Sequence, residues 1–149
     1  MSAADHPTVF LTNAASRRPP HRGPGRVLTI MARPRPRFGE LGDGRVPALV
    51  PEWALVAGAK AGRLPMEAYR GRYLRDVHAR ARQLVPGELT AVLLEGGSRP
   101  VADGDTLICA CSRAAAAEGR CHRAWAAEAL VAAGWRVVLD GAPLAQEAV

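Results

Sequence analysis

Apolar and polar positions divide the chain into short strands and amphipathic helices. Thr8-Val-Phe-Leu-Thr12 is β-branched and aromatic, which predicts a first strand. Arg26-Val-Leu-Thr-Ile-Met31 predicts a second. Pro51 is expected to open a helix where a missing N–H costs nothing, running through Trp53, Val56 and Lys60 to Gly62. A second helix is expected from Pro65, with Met66, Tyr69, Tyr73, Val77 and Leu84 as its buried stripe. Arg75, His78 and Arg82 fall on another face of it and read as solvated. Leu89, Val92 and Leu93 predict a short helix over 88–95, closed by Gly96, although Thr90–Leu94 also fits a strand. Asp105–Ala110 is the clearest strand and His122–Ala133 the clearest helix, the latter closed by Gly134. Trp135–Asp140 predicts the last strand, ended by Gly141-Ala-Pro143.

Proline and glycine mark the intervening loops. Residues 13–25 and 32–47 are rich in Arg, Pro and Gly, and 143–149 reads as a short tail. The 149 residues are expected to form a single α/β domain, a parallel or mixed sheet of about four strands with helices packed on it. The helix between the strands at Asp105 and Trp135 makes those strands parallel. Ligands of open α/β sheets bind outside the carboxyl ends of the strands. The connection from Cys111 to Arg120 is therefore the prime location for a site.

Composition adds two points. Alanine supplies 29 residues and aromatics only 7, so the core is built from Ala, Leu and Val, which suits helices lying close on a sheet. The formal net charge is +6, and residues 1–45 carry 8 Arg against 3 acids. This reads either as an anion-binding region, for nucleic acid or a phosphate-bearing small molecule, or as the codon bias that writes 19 Arg to one Lys. No run approaches the ~18–20 apolar residues of a membrane span, so no membrane partner is expected. The opening MSAADHPTVFLTN lacks a basic and apolar leader pattern, and a cytoplasmic setting is expected. Three Cys, an odd number, favour reduced thiols over a disulfide scaffold.

All three Cys cluster around the one connection. Cys109 and Cys111 end a strand, and Cys121 leads into His122 and Arg123 at the start of a helix. The positive end of a helix lowers a thiol's pKa and attracts anions. His122 can exchange a proton near neutral pH, and Arg123 carries a donor fork suited to phosphate. Three readings stay open. One is a reactive or anion-binding site, with a thiolate at Cys121 or Cys109. The second is a zinc site of Cys109, Cys111, Cys121 and His122, which the tight Cys-x-Cys spacing disfavours. The third is a set of buried structural thiols beside a helix start. No metal and no cofactor is expected.

These residues carry a resemblance. Leu107-Ile-Cys109, a loop, Cys121-His-Arg123, an Ala-rich helix and Gly134-Trp-x-Val are similar to the bacterial and phage family catalogued as domain of unknown function 488. Val9-Phe-Leu-Thr-Asn13-Ala resembles that family's opening strand, and Leu28-Thr-Ile-Met-Ala-Arg33-Pro its second. Val50-Pro51, Lys60-Ala-Gly62 and Tyr69-x-x-x-Tyr73 resemble its Ala-Pro, Lys-x-Gly and Tyr-x-x-x-Tyr run. The likeness spans roughly residues 8–140, and Cys-His-Arg is its most specific part. It implies a small α/β domain of nucleotide-handling type. Members usually carry an acid two residues after the first Cys, where this chain has Cys111, and the loop here is lengthened by Ala114–Ala117. If that acid is catalytic in relatives, this chain has lost or altered the step.

The expected function is therefore an enzyme-like domain acting on a nucleotide or nucleic acid. Cys121 or Cys109 would be the reactive thiol, Cys121 the more reactive, with His122 as its proton partner and Arg123 as the phosphate anchor. Arg33, Asn13 and Tyr73 would contact the substrate. The alternative is a non-catalytic nucleic-acid-binding accessory protein that uses its Arg-rich N-terminal loops. If the charge serves nucleic acid, Arg33→Ala and Arg35→Ala should each weaken binding and lower the log–log salt slope by about 0.9 on duplex DNA. Fluorescence titration across a salt series measures this. No binding at low salt would assign the Arg excess to codon bias.

Overall fold

The apolar run at Thr8 forms strand β1 (Thr8–Asn13), and its neighbours on both sides explain why it is buried. In the computed structural model, which describes residues 6–110 and 121–144, β1 lies between two parallel strands. These are β6 (Thr106–Cys109) and β7 (Arg136–Leu139). Strand β2 (Val27–Thr29) adds to β6, also in parallel. Buried central strands of this kind are apolar on both faces, as Leu107-Ile-Cys109 and Val27-Leu28 are.

Four further strands widen the sheet. They are β3 (Gly44–Arg45), β4 (Thr90–Leu93), β5 (Ser98–Pro100) and β8 (Ala142–Pro143). The result is one mixed sheet of eight strands in the order β5-β4-β3-β2-β6-β1-β7-β8. The expectation of about four strands is corrected to eight. The added strands are two to four residues long, too short to show a periodicity. The expected helix over 88–95 is corrected to strand β4. Its Ala91 is buried between exposed Thr90 and Val92, the two-residue period of a strand. Gly96 (φ +113°) and Gly97 (φ +75°) turn the chain back so that Val92 pairs with Ser98. The loop 32–47 contains β3, and Gly141-Ala-Pro143 pairs back on β7 instead of only ending it.

Three α-helices are present among the described residues: α1 (Trp53–Lys60), α2 (Met66–Ala79) and α3 (His122–Ala132). Pro51 does not open α1; it precedes the N-cap Glu52, and the helix begins at Trp53. Tyr69, Tyr73 and Val77 form the buried stripe of α2, while Leu84 is buried in the turn that follows. Arg75, His78 and Arg82 are exposed. Alanines 126, 127 and 129 let α3 lie close to its neighbours, and Trp125 meets Tyr69 edge-on at 5.0 Å. Trp135 then anchors the start of β7 by donating its indole N–H to the Leu84 carbonyl at 2.7 Å.

The register sorts residues to the two faces. Leu28, Leu107, Leu11 and Leu139 form one cross-sheet row, and Asn13 pairs with Cys109 on that same face. The Cys109–Cys121 contact places the start of α3 there too. Residues 14–25 cover the other face. Gly23 donates to Thr106 Oγ1 at 2.9 Å and lies against Phe10, Thr106's register partner. A Cβ on Gly23 would stand 2.2 Å from the Gly104 oxygen and 2.4 Å from the Phe10 ring. Gly23→Ala is thus expected to cost about 1–3 kcal/mol through overpacking. A shift of the urea midpoint measures it, with Gly62→Ala as the comparison, where φ is +73° but no atom lies within 4 Å.

Candidate functional site

Four parallel strands have their carboxyl ends on one side of the sheet, and three of them lead into a polar or sulfur-bearing side chain. Strand β1 ends at Asn13, β6 at Cys109, and β7 runs into Asp140, while Ile30 and Met31 follow β2. Helix α3 starts beside them. Its N-cap is Cys121, extended at φ −118° and ψ 135°, whose sulfur accepts from the Arg123 backbone N–H at 3.5 Å. Cys121 therefore occupies a position usually held by Ser, Thr, Asp or Asn.

The sulfurs of Cys109 and Cys121 approach to 3.2 Å, and both residues are 0% exposed. Arg123, also fully buried, binds this pair. Its Nη1 donates to Cys109 Sγ at 3.0 Å and lies 3.6 Å from Cys121 Sγ. Its Nε and Nη2 grip both Asp140 oxygens at 3.1 and 3.0 Å. Burial opposes the guanidinium charge, but the Cys109 sulfur and the Asp140 carboxylate outweigh it and hold the pKa above the ordinary arginine value. Arg123 is thus engaged by protein groups of the described residues.

His122, at the first turn of α3, turns the other way. Its Nε2 lies 2.9 Å from the Ile30 carbonyl oxygen, an atom that can only accept, so Nε2 carries the proton. The lone pair is then on Nδ1. Burial lowers the pKa of His122 below its ordinary value and keeps the ring neutral. Tyr73 stands edge-on to it, centroids 5.6 Å apart, and gives its hydroxyl to the Leu49 carbonyl at 2.7 Å. Tyr73 is 2% exposed and packs against His122. Burial raises its phenol pKa well above the usual value.

A cleft of about 710 Å³ opens beside His122. Met31, Arg33, Trp53, Lys60, Tyr69 and His122 are among the residues that line it, with Arg35 and Ala110. The Arg33 guanidinium lies 4.0 Å over the Trp53 ring, and Lys60 Nζ is 5.8 Å from its centroid. Trp53 and Lys60 sit at opposite ends of α1, seven residues apart and so on one helical face. Arg35 is paired instead with Glu40, Nε to Oε1 at 3.0 Å and Nη2 to Oε2 at 2.7 Å. That bond and the Arg35 charge hold the buried Glu40 carboxyl below its usual pKa despite its burial.

The structure thus brings Cys109, Cys121, His122 and Arg123 together, and Arg33 lines the same cleft as His122. Asn13 is buried in register with Cys109, its Oδ1 unpartnered. Cys111 and Ala114–Ala117 lie outside the described residues. No group of three or more His, Cys, Asp or Glu suited to a metal occurs among the described residues. Sequence reasoning missed Asp140, Trp53, Lys60 and Glu40. Asp140 had one signal, an acid between a strand and a glycine; the others depend on which loops meet.

The class defined by this fold and site is an α/β domain with its cleft at the carboxyl ends of parallel strands. The chain matches no family model, no curated protein and no solved structure in the comparisons made. No helix among the described residues is long and apolar enough to cross a membrane.

His122 carries a pH prediction. Its folded pKa lies below the unfolded value of about 6.5, so the unfolded chain binds more protons. Its neutral burial costs nothing above that value, and stability falls as pH drops from about 6.5 toward the folded pKa, by at most ~1.4 kcal/mol per pH unit. Urea midpoints between pH 7.5 and 5 should show this slope in the wild type and lose it in His122→Gln. An unchanged slope in the variant would refute the assignment.

Proposed function

We propose that this chain is an enzyme-like α/β domain acting on a nucleotide, or on the nucleotide end of a nucleic acid, held in the cleft beside His122. The observation that carries this reading is the convergence in one cleft of two cations, Arg33 and Lys60, an indole ring, Trp53, and a neutral imidazole. Cations and a π surface suit a phosphate and a base, and an oriented neutral histidine suits proton transfer. Its position at strand carboxyl ends is the usual one for ligands of such sheets. The resemblance carried by Cys109 and Cys121-His-Arg123 supports the same location.

In this reading His122 Nδ1 is the proton acceptor, and the Ile30 carbonyl fixes its tautomer. Arg33 and Lys60 bind the phosphate. Both sulfurs are buried beneath the cleft floor and take no nucleotide contact in this reading. Arg123 positions His122 by fixing the start of α3. Isothermal titration with nucleoside 5′-phosphates, nucleosides and inorganic phosphate tests the proposal. The 5′-phosphates should bind tightest, and Arg33→Ala should weaken them about tenfold or more, the worth of one charged hydrogen bond. His122→Gln should still bind while failing to convert the nucleotide that wild type converts, followed by phosphorus NMR. Binding of single-stranded DNA without any nucleotide affinity would favour the accessory-binder alternative instead.

A further inference from the structure

The two buried thiols perform no step in that reading, yet their arrangement is specific. They come from different elements, the end of β6 and the N-cap of α3, twelve residues apart in sequence. Their sulfurs stand 3.2 Å apart, and a disulfide needs about 2.05 Å, so closure requires a movement of only about 1.2 Å. Arg123 Nη1 lies 3.0 Å from Cys109 Sγ and 3.6 Å from Cys121 Sγ, so one guanidinium nitrogen faces both sulfurs. Ala110 follows Cys109, and His122 follows Cys121; both line the cleft, so the sulfurs lie one residue beneath its floor.

We propose that Cys109 and Cys121 form a dithiol–disulfide couple oxidised by a hydroperoxide. The Cys109 thiolate attacks one peroxide oxygen. An S–O bond forms, the O–O bond breaks, and the departing oxygen takes a proton to leave as an alcohol or water. The Cys121 thiol then attacks the Cys109 sulfenic acid. An S–S bond forms, the S–O bond breaks, and the hydroxide leaves as water with the Cys121 proton. Two thiols are oxidised and one peroxide is reduced. A dithiol reductant reverses the change. Closure pulls Cys109 Sγ away from Arg123 Nη1 and draws on the N-cap of α3, the residue before His122.

The test uses the full chain, hydrogen peroxide, and thiol labelling in denaturant followed by peptide mapping. Two of the three thiols should be lost, and a peptide pair joined through Cys109 and Cys121 should appear, with Cys111 still alkylated. Cys111→Ser should form the same link, and Cys109→Ser should form none. Dithiothreitol should restore all thiols. Oxidation that stops at a sulfinic acid on one residue, a link through Cys111, a link between chains, or thiols unchanged by peroxide would each overturn the proposal. None of these readouts depends on nucleotide binding.

Discussion

The guanidinium of Arg123 is the constraint around which the cleft end of the sheet is arranged. A fully buried charge is tolerated only when it is paired and its donors are satisfied. Here its partners come from three separate elements: Asp140 after β7, Cys109 at the end of β6 and Cys121 before α3. Removing one partner from such a pair costs about 3–5 kcal/mol, because the remaining charge is stranded. The same contact therefore binds two strand ends to a helix start. Strand β1 lies between β6 and β7 and is confined by both.

That clamp decides which of the adjacent residues 121–123 faces which way. Successive residues on a helix project about 100° apart. Once Arg123 is drawn down to Asp140 and Cys109, His122 is turned toward Ile30 and the cleft. The Ile30 carbonyl then selects the tautomer. Neighbours in sequence thus face different ways, His122 toward the cleft and Arg123 into the protein beneath it. The other end of the sheet has its own anchor, since buried Asp105 accepts from the Arg26 and Ala102 backbone N–H groups and from Arg99.

The positive charge is divided in the same way. Arg17 donates to the Ala14 and Gly39 carbonyls, Arg26 pairs with Glu95, and Arg35 pairs with Glu40. These arginines brace loops that contain little regular structure. Arg33 lies instead over Trp53 at the cleft. A count of basic residues cannot distinguish these uses, because the distinction depends on which carboxylate or carbonyl lies within reach.

Local patterns determined much of the architecture. The runs at Thr8, Val27, Thr106 and Arg136 are apolar on both sides, as buried parallel strands require, and the stripe of Tyr69, Tyr73 and Val77 has helical spacing. The strand–loop–helix order also put Cys109 and Cys121 at one end of the sheet. The shortest strands were not legible, since β3 and β8 span two residues each and form only where a neighbour supplies the ladder. Strand β4 shows the same dependence, its apolar positions fitting a helix until β3 and β5 pair with it. The directions in which the clustered side chains face were also decided by tertiary structure. Sequence showed a thiol, an imidazole and a guanidinium side by side; burial and long-range partners directed the guanidinium inward to Asp140 and the imidazole toward the cleft.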